Sequence, residues 1–124
     1  MREAGQIVNA TIDKTFLGIE DHGIFTFTIY VDYGDSSHQG FGTYGLDGDE
    51  KKPSWCGEML RKILEVAGAE SWEELVGKNV RVKFGEESAG WGNRIAAIGH
   101  ITKEVWLNPK ELGKKYWPEE EKNE

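Results

Sequence analysis

Residues Ile24 to Tyr33 alternate without a break: Phe25, Phe27, Ile29 and Val31 fall on one side, Thr26, Thr28, Tyr30 and Asp32 on the other. A period of two carried by aromatic and β-branched residues specifies a strand with one face in a core. The flanking sequence supplies its neighbours. Gln6 to Phe16 shows weaker alternation and reads as a first strand, joined through the turn Asp21-His22-Gly23. Gly34-Asp35-Ser36-Ser37 turns the chain again, and His38 to Leu46 reads as a return strand. Its glycines, Gly40 and Gly42, imply bulges or close backbone approach. Three antiparallel strands in a meander follow.

Beyond a polar loop, Asp47 to Pro53, the period changes. Cys56, Met59, Leu60, Ile63, Leu64 and Ala67 recur at helical spacing, with Ser54 placed to cap the helix and Gly68 to stop it. Arg61 and Lys62 lie on its polar side. Ser71-Trp72-Glu73-Glu74 has the form of a capping box and opens a short second helix ending near Val76-Gly77. Lys78 to Phe84 and Asn93 to Thr102 then pattern as a hairpin. Asn108-Pro109-Lys110-Glu111 sets a cap, a first-turn proline and an early Glu, so a terminal helix should run to about Trp117, with Lys110 and Lys114 on one face. The expectation is an α+β domain over residues 1–117, an antiparallel sheet of meander plus hairpin packed with two or three short helices. Residues 118–124 form an acidic tail.

Composition narrows the function. A net charge of −7 over 124 residues argues against general binding of DNA or RNA, which rests on many Lys and Arg contacts to phosphates. A small anion is another matter, because two or three converging cations can hold a pyrophosphate inside an acidic protein. The single cysteine, Cys56, cannot close an internal bridge, and no charged-then-apolar leader opens the chain; both point to a reducing cytoplasm. No apolar run approaches the roughly 20 residues of a membrane span.

Few residues are arranged for catalysis. His22, His38, His100 and Cys56 lack the paired spacing of zinc sites, so no metal is expected. Asp47-Gly48-Asp49-Glu50 has only a fragment of a calcium loop. His100-Ile101-Thr102 is a lone His-x-Thr unit, whereas phosphoesterases that cleave cyclic nucleotides with two histidines pair two such units as acid and base. Binding is favoured over catalysis. The feature best suited to binding is Phe84-Gly85-Glu86-Glu87-Ser88-Ala89-Gly90-Trp91-Gly92-Asn93. Its glycines admit a ligand close to the backbone, Trp91 offers a stacking face, and Asn93 carries a donor and an acceptor in one group. The simpler reading is a hairpin turn whose Trp packs into the core.

Taken in order, Asp21-His22-Gly23-Ile24-Phe25, Gln39-Gly40-Phe41-Gly42, the helix with Leu60-Arg61, Gly92-Asn93 leading into Ile98-Gly99-His100-Ile101, and Asn108-Pro109-Lys110 resemble the phage Thoeris anti-defence sponge proteins. The likeness spans residues 6 to 117 and lies in the order and spacing of short motifs. It implies a protein that binds the glycocyclic ADP-ribose signals of bacterial Thoeris immunity and sequesters them uncleaved, silencing the effector. It implies action in the host cytoplasm, dimers with two pockets at the subunit interface, and in some members hexamers with further pockets for cyclic di- or trinucleotides. No cofactor is implied.

Carried over by position, Phe84 or Trp91 would stack on the adenine and Asn93 would hydrogen-bond the ligand. Arg61, Lys110 and Lys114 would meet the pyrophosphate. Lysines at the terminal helix, where the family pattern suggests arginines, keep the charge but lose the bidentate fork. His22 and Thr102 are the nominees for a second pocket. Two other classes compete: an enzyme degrading the same nucleotides, and a single-strand-binding or interaction module, since Leu75-Val76-Gly77-Lys78 before a strand also occurs in small β-rich domains of that kind.

Overall fold

A computed structural model describes residues 3–20, 22–35, 37–44, 46, 53–87 and 93–116. The meander consists of β1 (Ile7–Ile19), β2 (Phe25–Asp32) and β3 (His38–Tyr44). Helix α1 (Pro53–Ala67) and a 3-10 turn (Trp72–Glu74) follow. The chain closes with the hairpin β4 (Asn79–Glu87) and β5 (Asn93–His100), a two-residue β6 (Trp106–Leu107) and α2 (Pro109–Tyr116). All six strands form one antiparallel sheet in the order β3-β2-β1-β4-β5-β6, so the α+β expectation holds.

The sheet does not lie open. β1 is shared: Ile7 to Thr11 pair with β4, while Thr11 to Ile19 pair with β2 across a bulge between Ile12 and Lys14. A bulge raises local twist, and the two ends of the sheet curl toward each other. The Ile95 N–H donates to the Gln39 side-chain oxygen at 2.8 Å, tying β5 to β3. The resulting connectivity, a meander, a helix, then a hairpin whose first strand returns to β1, is that of a partly open, OB-like barrel.

The core is the inside of that curl. Phe27, Ile29 and Val31 are fully buried from β2, as their alternation requires, and meet Ile12, Val80, Val82, Phe84 and Ile98. From α1, Met59, Ile63, Val66 and Ala67 are buried, with Cys56, Leu60 and Leu64 partly so. Trp72 stands edge-on to Phe27 at 6.3 Å. No helix among the described residues is long and apolar enough to cross a membrane.

Several local expectations shift. β1 runs three residues past Phe16 because β2 continues to support it beyond the bulge. α1 starts at Pro53, so Pro takes the first helical position and Ser54 stands inside the helix rather than at its cap; the Ser54 side chain is outside the described residues. The capping box is not made: Ser71 gives no side-chain cap bond, the Glu74 carboxylate accepts the N–H of Glu70 at 3.1 Å rather than that of Ser71, and the segment is one 3-10 turn. β6 was not foreseen, since two residues are too few to show a period.

Candidate functional site

Three sequence segments, residues 39–42, 94–96 and 108–110, converge on one groove. Gln39, Gly40, Phe41 and Gly42 of β3 line one wall, Arg94, Ile95 and Ala96 of β5 the other, and Asn108, Pro109 and Lys110 close the end. The groove holds about 330 Å³. Each wall is held for a local reason. Gln39 is fixed by the bond from Ile95. Gly42 lies so close to β2 that an added Cβ would collide with the Phe27 carbonyl oxygen, so this glycine serves strand packing. Asn108 caps α2 as its sequence suggested, its side-chain oxygen accepting the N–H groups of Lys110 at 3.0 Å and Glu111 at 3.2 Å.

The groove carries two exposed cations, Arg94 and Lys110, and neither makes an ion pair with a described residue. A larger groove of about 570 Å³ runs between β1, the β2–β3 turn and the start of β4. Its lining includes Asn9, Thr11, Asp32 and Asn79 and, among the described residues, no basic one, so for a phosphate ligand the smaller groove has the better chemistry despite its size.

The sequence nominees separate. Lys110 lies in the groove, and Asn93 opens β5 directly before Arg94, although its side chain is outside the described residues. Trp91 is outside them altogether. Phe84 is 1 % exposed and meets Tyr33 edge-on at 5.3 Å. Its ring is a core ring, buried on β4 opposite Ile95, and has no free face to stack on a base in this chain. That corrects its nomination and leaves Trp91 as the stacking candidate.

Arg61 and Lys114 are not among the described residues lining the groove. Arg61 is exposed on α1 and reaches Glu65 at 3.8 Å, and Lys114 pairs with Glu111 at 2.9 Å. The helical spacing of Lys110 and Lys114 is right, but only the first-turn position reaches the groove. The sequence reading missed Arg94, which had been only a strand residue between Asn93 and Ile95. Its proximity to Asn93 was the available signal; its meeting with Lys110 is tertiary.

His22 and Thr102 occupy different turns. The Glu20 carboxylate accepts the His22 N–H at 2.6 Å and lies 3.2 Å from its ring. Thr102 belongs to the turn after β5, where the His100 Nδ1 accepts the N–H groups of Thr102 at 3.1 Å and Lys103 at 3.0 Å. One nitrogen of the lone His-x-Thr unit is thus spent on its own turn.

Away from the groove, α2 is fastened to α1 through Glu58. The Tyr116 hydroxyl donates to its carboxylate at 2.6 Å and the Lys115 ammonium at 2.9 Å. These two donors, Tyr116 first, hold the Glu58 carboxyl below its ordinary range, and the same contacts raise both Lys115 and Tyr116. Arg81 likewise lowers Glu104. Among the described residues no three His, Cys, Asp or Glu side chains are placed to hold a metal. No protein-family model matches the chain, and no curated protein matches it in sequence.

Proposed function

We propose that the chain binds a small anionic nucleotide in the β3–β5–α2 groove and sequesters it without cleavage, as the resemblance to the Thoeris anti-defence sponges implies. The supporting observation is the convergence itself: Gln39-Gly40-Phe41-Gly42 and Asn108-Pro109-Lys110, two of the segments that carry the resemblance, line one groove together with the cation Arg94. An arginine can grip one phosphate bidentately while a lysine neutralises the next, the combination a pyrophosphate requires.

The rest of the lining supports retention rather than turnover. Its described residues include no His, Cys, Asp or Glu, the groups most used for proton transfer and nucleophilic attack. Gln39, Asn108 and the apolar Phe41 and Ile95 can orient and shield a ligand. A sponge acts through slow release, and affinity of that kind resides mainly in the dissociation rate. In an infected bacterial cytoplasm such a protein would deplete a scarce immune signal and leave its effector inactive.

One observation favours a second reading, binding of an unpaired nucleic-acid strand. OB-like barrels use the outer face of β2 and β3 for that purpose. Here Tyr30 is 38 % exposed on that face, with Phe16 of β1 at 37 % beside it. The net charge of −7 opposes it.

The test is to mix purified protein with glycocyclic ADP-ribose, remove unbound ligand, denature the complex by heat and chromatograph what is released. Near-stoichiometric intact ligand is expected. Altered ligand would replace the sponge with an enzyme. Absence of ligand, together with a salt-sensitive shift of a single-stranded oligonucleotide, would favour the second reading.

A further inference from the structure

At one level of the sheet, four neighbouring strands each put a polar side chain in the same row. Thr11 of β1 pairs with Asp32 of β2 on one side and with Asn79 of β4 on the other, and Asp32 pairs in turn with His38 of β3. Residues directly opposite in an antiparallel pair share a face, so these four side chains stand side by side. Asn9, two residues before Thr11 on β1, stands on that face as well. Asn9, Thr11, Asp32 and Asn79 all line the larger groove of about 570 Å³, which the nucleotide reading does not use.

The bonds within the row decide which polar groups are left for a ligand. The Thr11 hydroxyl donates to the Asn79 side-chain oxygen at 3.0 Å, which fixes that carboxamide and leaves its amino group as a donor. One Asp32 oxygen accepts the Gly34 N–H at 2.9 Å, and the other lies 3.5 Å from the His38 Nε2. A carboxylate has more lone pairs than two contacts occupy, so Asp32 still accepts. Asn9 makes no hydrogen bond with a described residue, so both halves of its carboxamide are open. Arg81, opposite Asn9 in the ladder, is bonded instead to the carbonyls of His100 at 2.7 Å and Lys103 at 2.9 Å and to the Glu104 carboxylate at 3.0 Å.

Donors and acceptors are therefore mixed in one groove whose described lining has a carboxylate and no cation. That mixture fits one ligand class. A phosphate or carboxylate carries acceptors alone and would be repelled by Asp32. A hydroxyl both donates and accepts, so a series of ring hydroxyls can satisfy Asp, Thr and Asn side chains in turn. Tyr33 and Ile101 add apolar surface for the C–H face of a sugar ring. We propose that this groove binds a neutral saccharide across β2, β1 and β4, with Asp32 accepting from one hydroxyl and the carboxamides of Asn79 and Asn9 bonding others. Adjacent strands lie about 4.8 Å apart, so the row from Asp32 to Asn79 spans roughly 10 Å, room for a disaccharide or a longer chain.

A glycan array probed with the fluorescently labelled full chain tests it. Neutral glycans should be bound and their sialylated and sulfated counterparts should not. The best-bound neutral glycan is then titrated into isotope-labelled chain, where the side-chain amide signals of Asn9 and Asn79 should shift. Asn79→Ala and Thr11→Val each remove hydrogen-bonding groups from an exposed residue, so both should weaken glycan binding by about tenfold with an unchanged circular dichroism spectrum. Arg94→Ala should leave it at the wild-type level, because the two grooves share no lining residue, and the glycan result is thereby independent of whether the nucleotide is retained. An array on which no neutral glycan is bound, binding confined to acidic glycans, or wild-type affinity in Asn79→Ala and Thr11→Val would overturn the assignment.

Discussion

Gly42 and Arg94 show how differently two residues of one groove can be constrained. At Gly42 the limit is steric, since a Cβ would meet the Phe27 carbonyl and the Thr28 backbone rather than a side chain that could move aside. Gly42→Ala should therefore cost about 3 kcal/mol, the upper end for overpacking, measurable by urea denaturation. At Arg94 the constraint is chemical. Its side chain is exposed, so Arg94→Ala should leave the fold's stability unchanged. It should nevertheless weaken nucleotide retention by roughly tenfold or more, the worth of one charged hydrogen bond, and Lys110→Ala should do the same. Arg61→Ala is the discriminating control: isothermal titration should find it near wild type, and a large loss there would move the binding site from this groove to α1.

At the scale of elements, α2 depends on a polar fastening. Glu58 is depressed in the folded chain, so its contribution is present above the unfolded carboxyl value and is lost as pH falls through the folded one. Lys115, raised by Glu58, contributes below its ordinary value and loses that contribution as pH rises through the raised one. Both hold at neutral pH. On acidification α2 should loosen before the barrel, seen as faster amide exchange in residues 112–116 while Val80, Val82 and Ile98 stay protected. Glu58→Gln should remove that pH dependence. Because Lys110 stands on α2, ligand retention should decline over the same acid range.

For the molecule as a whole, curling and charge set what can bind. The bulge after Ile12 and the Gln39–Ile95 bond bring β3 to β5, so segments distant in sequence share a wall. Excess acidity disfavours a polyanion yet leaves Arg94 and Lys110 able to act locally. A single-stranded oligonucleotide at physiological salt should accordingly give no mobility shift under conditions where the small nucleotide is retained.

The alternation of Phe25, Phe27, Ile29 and Val31, the helical period from Cys56 to Ala67 and the Asn108-Pro109 cap are local properties, and the sequence alone determined strands β1 to β5, helices α1 and α2, their order and the buried faces of β2 and α1. The site was legible only at Lys110 and in the glycine-bearing β3 segment. Phe84 was misread because a buried aromatic beside a glycine-rich turn has the same local pattern as an exposed one, and Arg94 was passed over because nothing within a few residues predicts which strand will lie beside it. Closure of the sheet and the neighbour of each cation depend on twist, register and where β4 ends relative to β1. Those are relations between segments, and only the tertiary structure decided them.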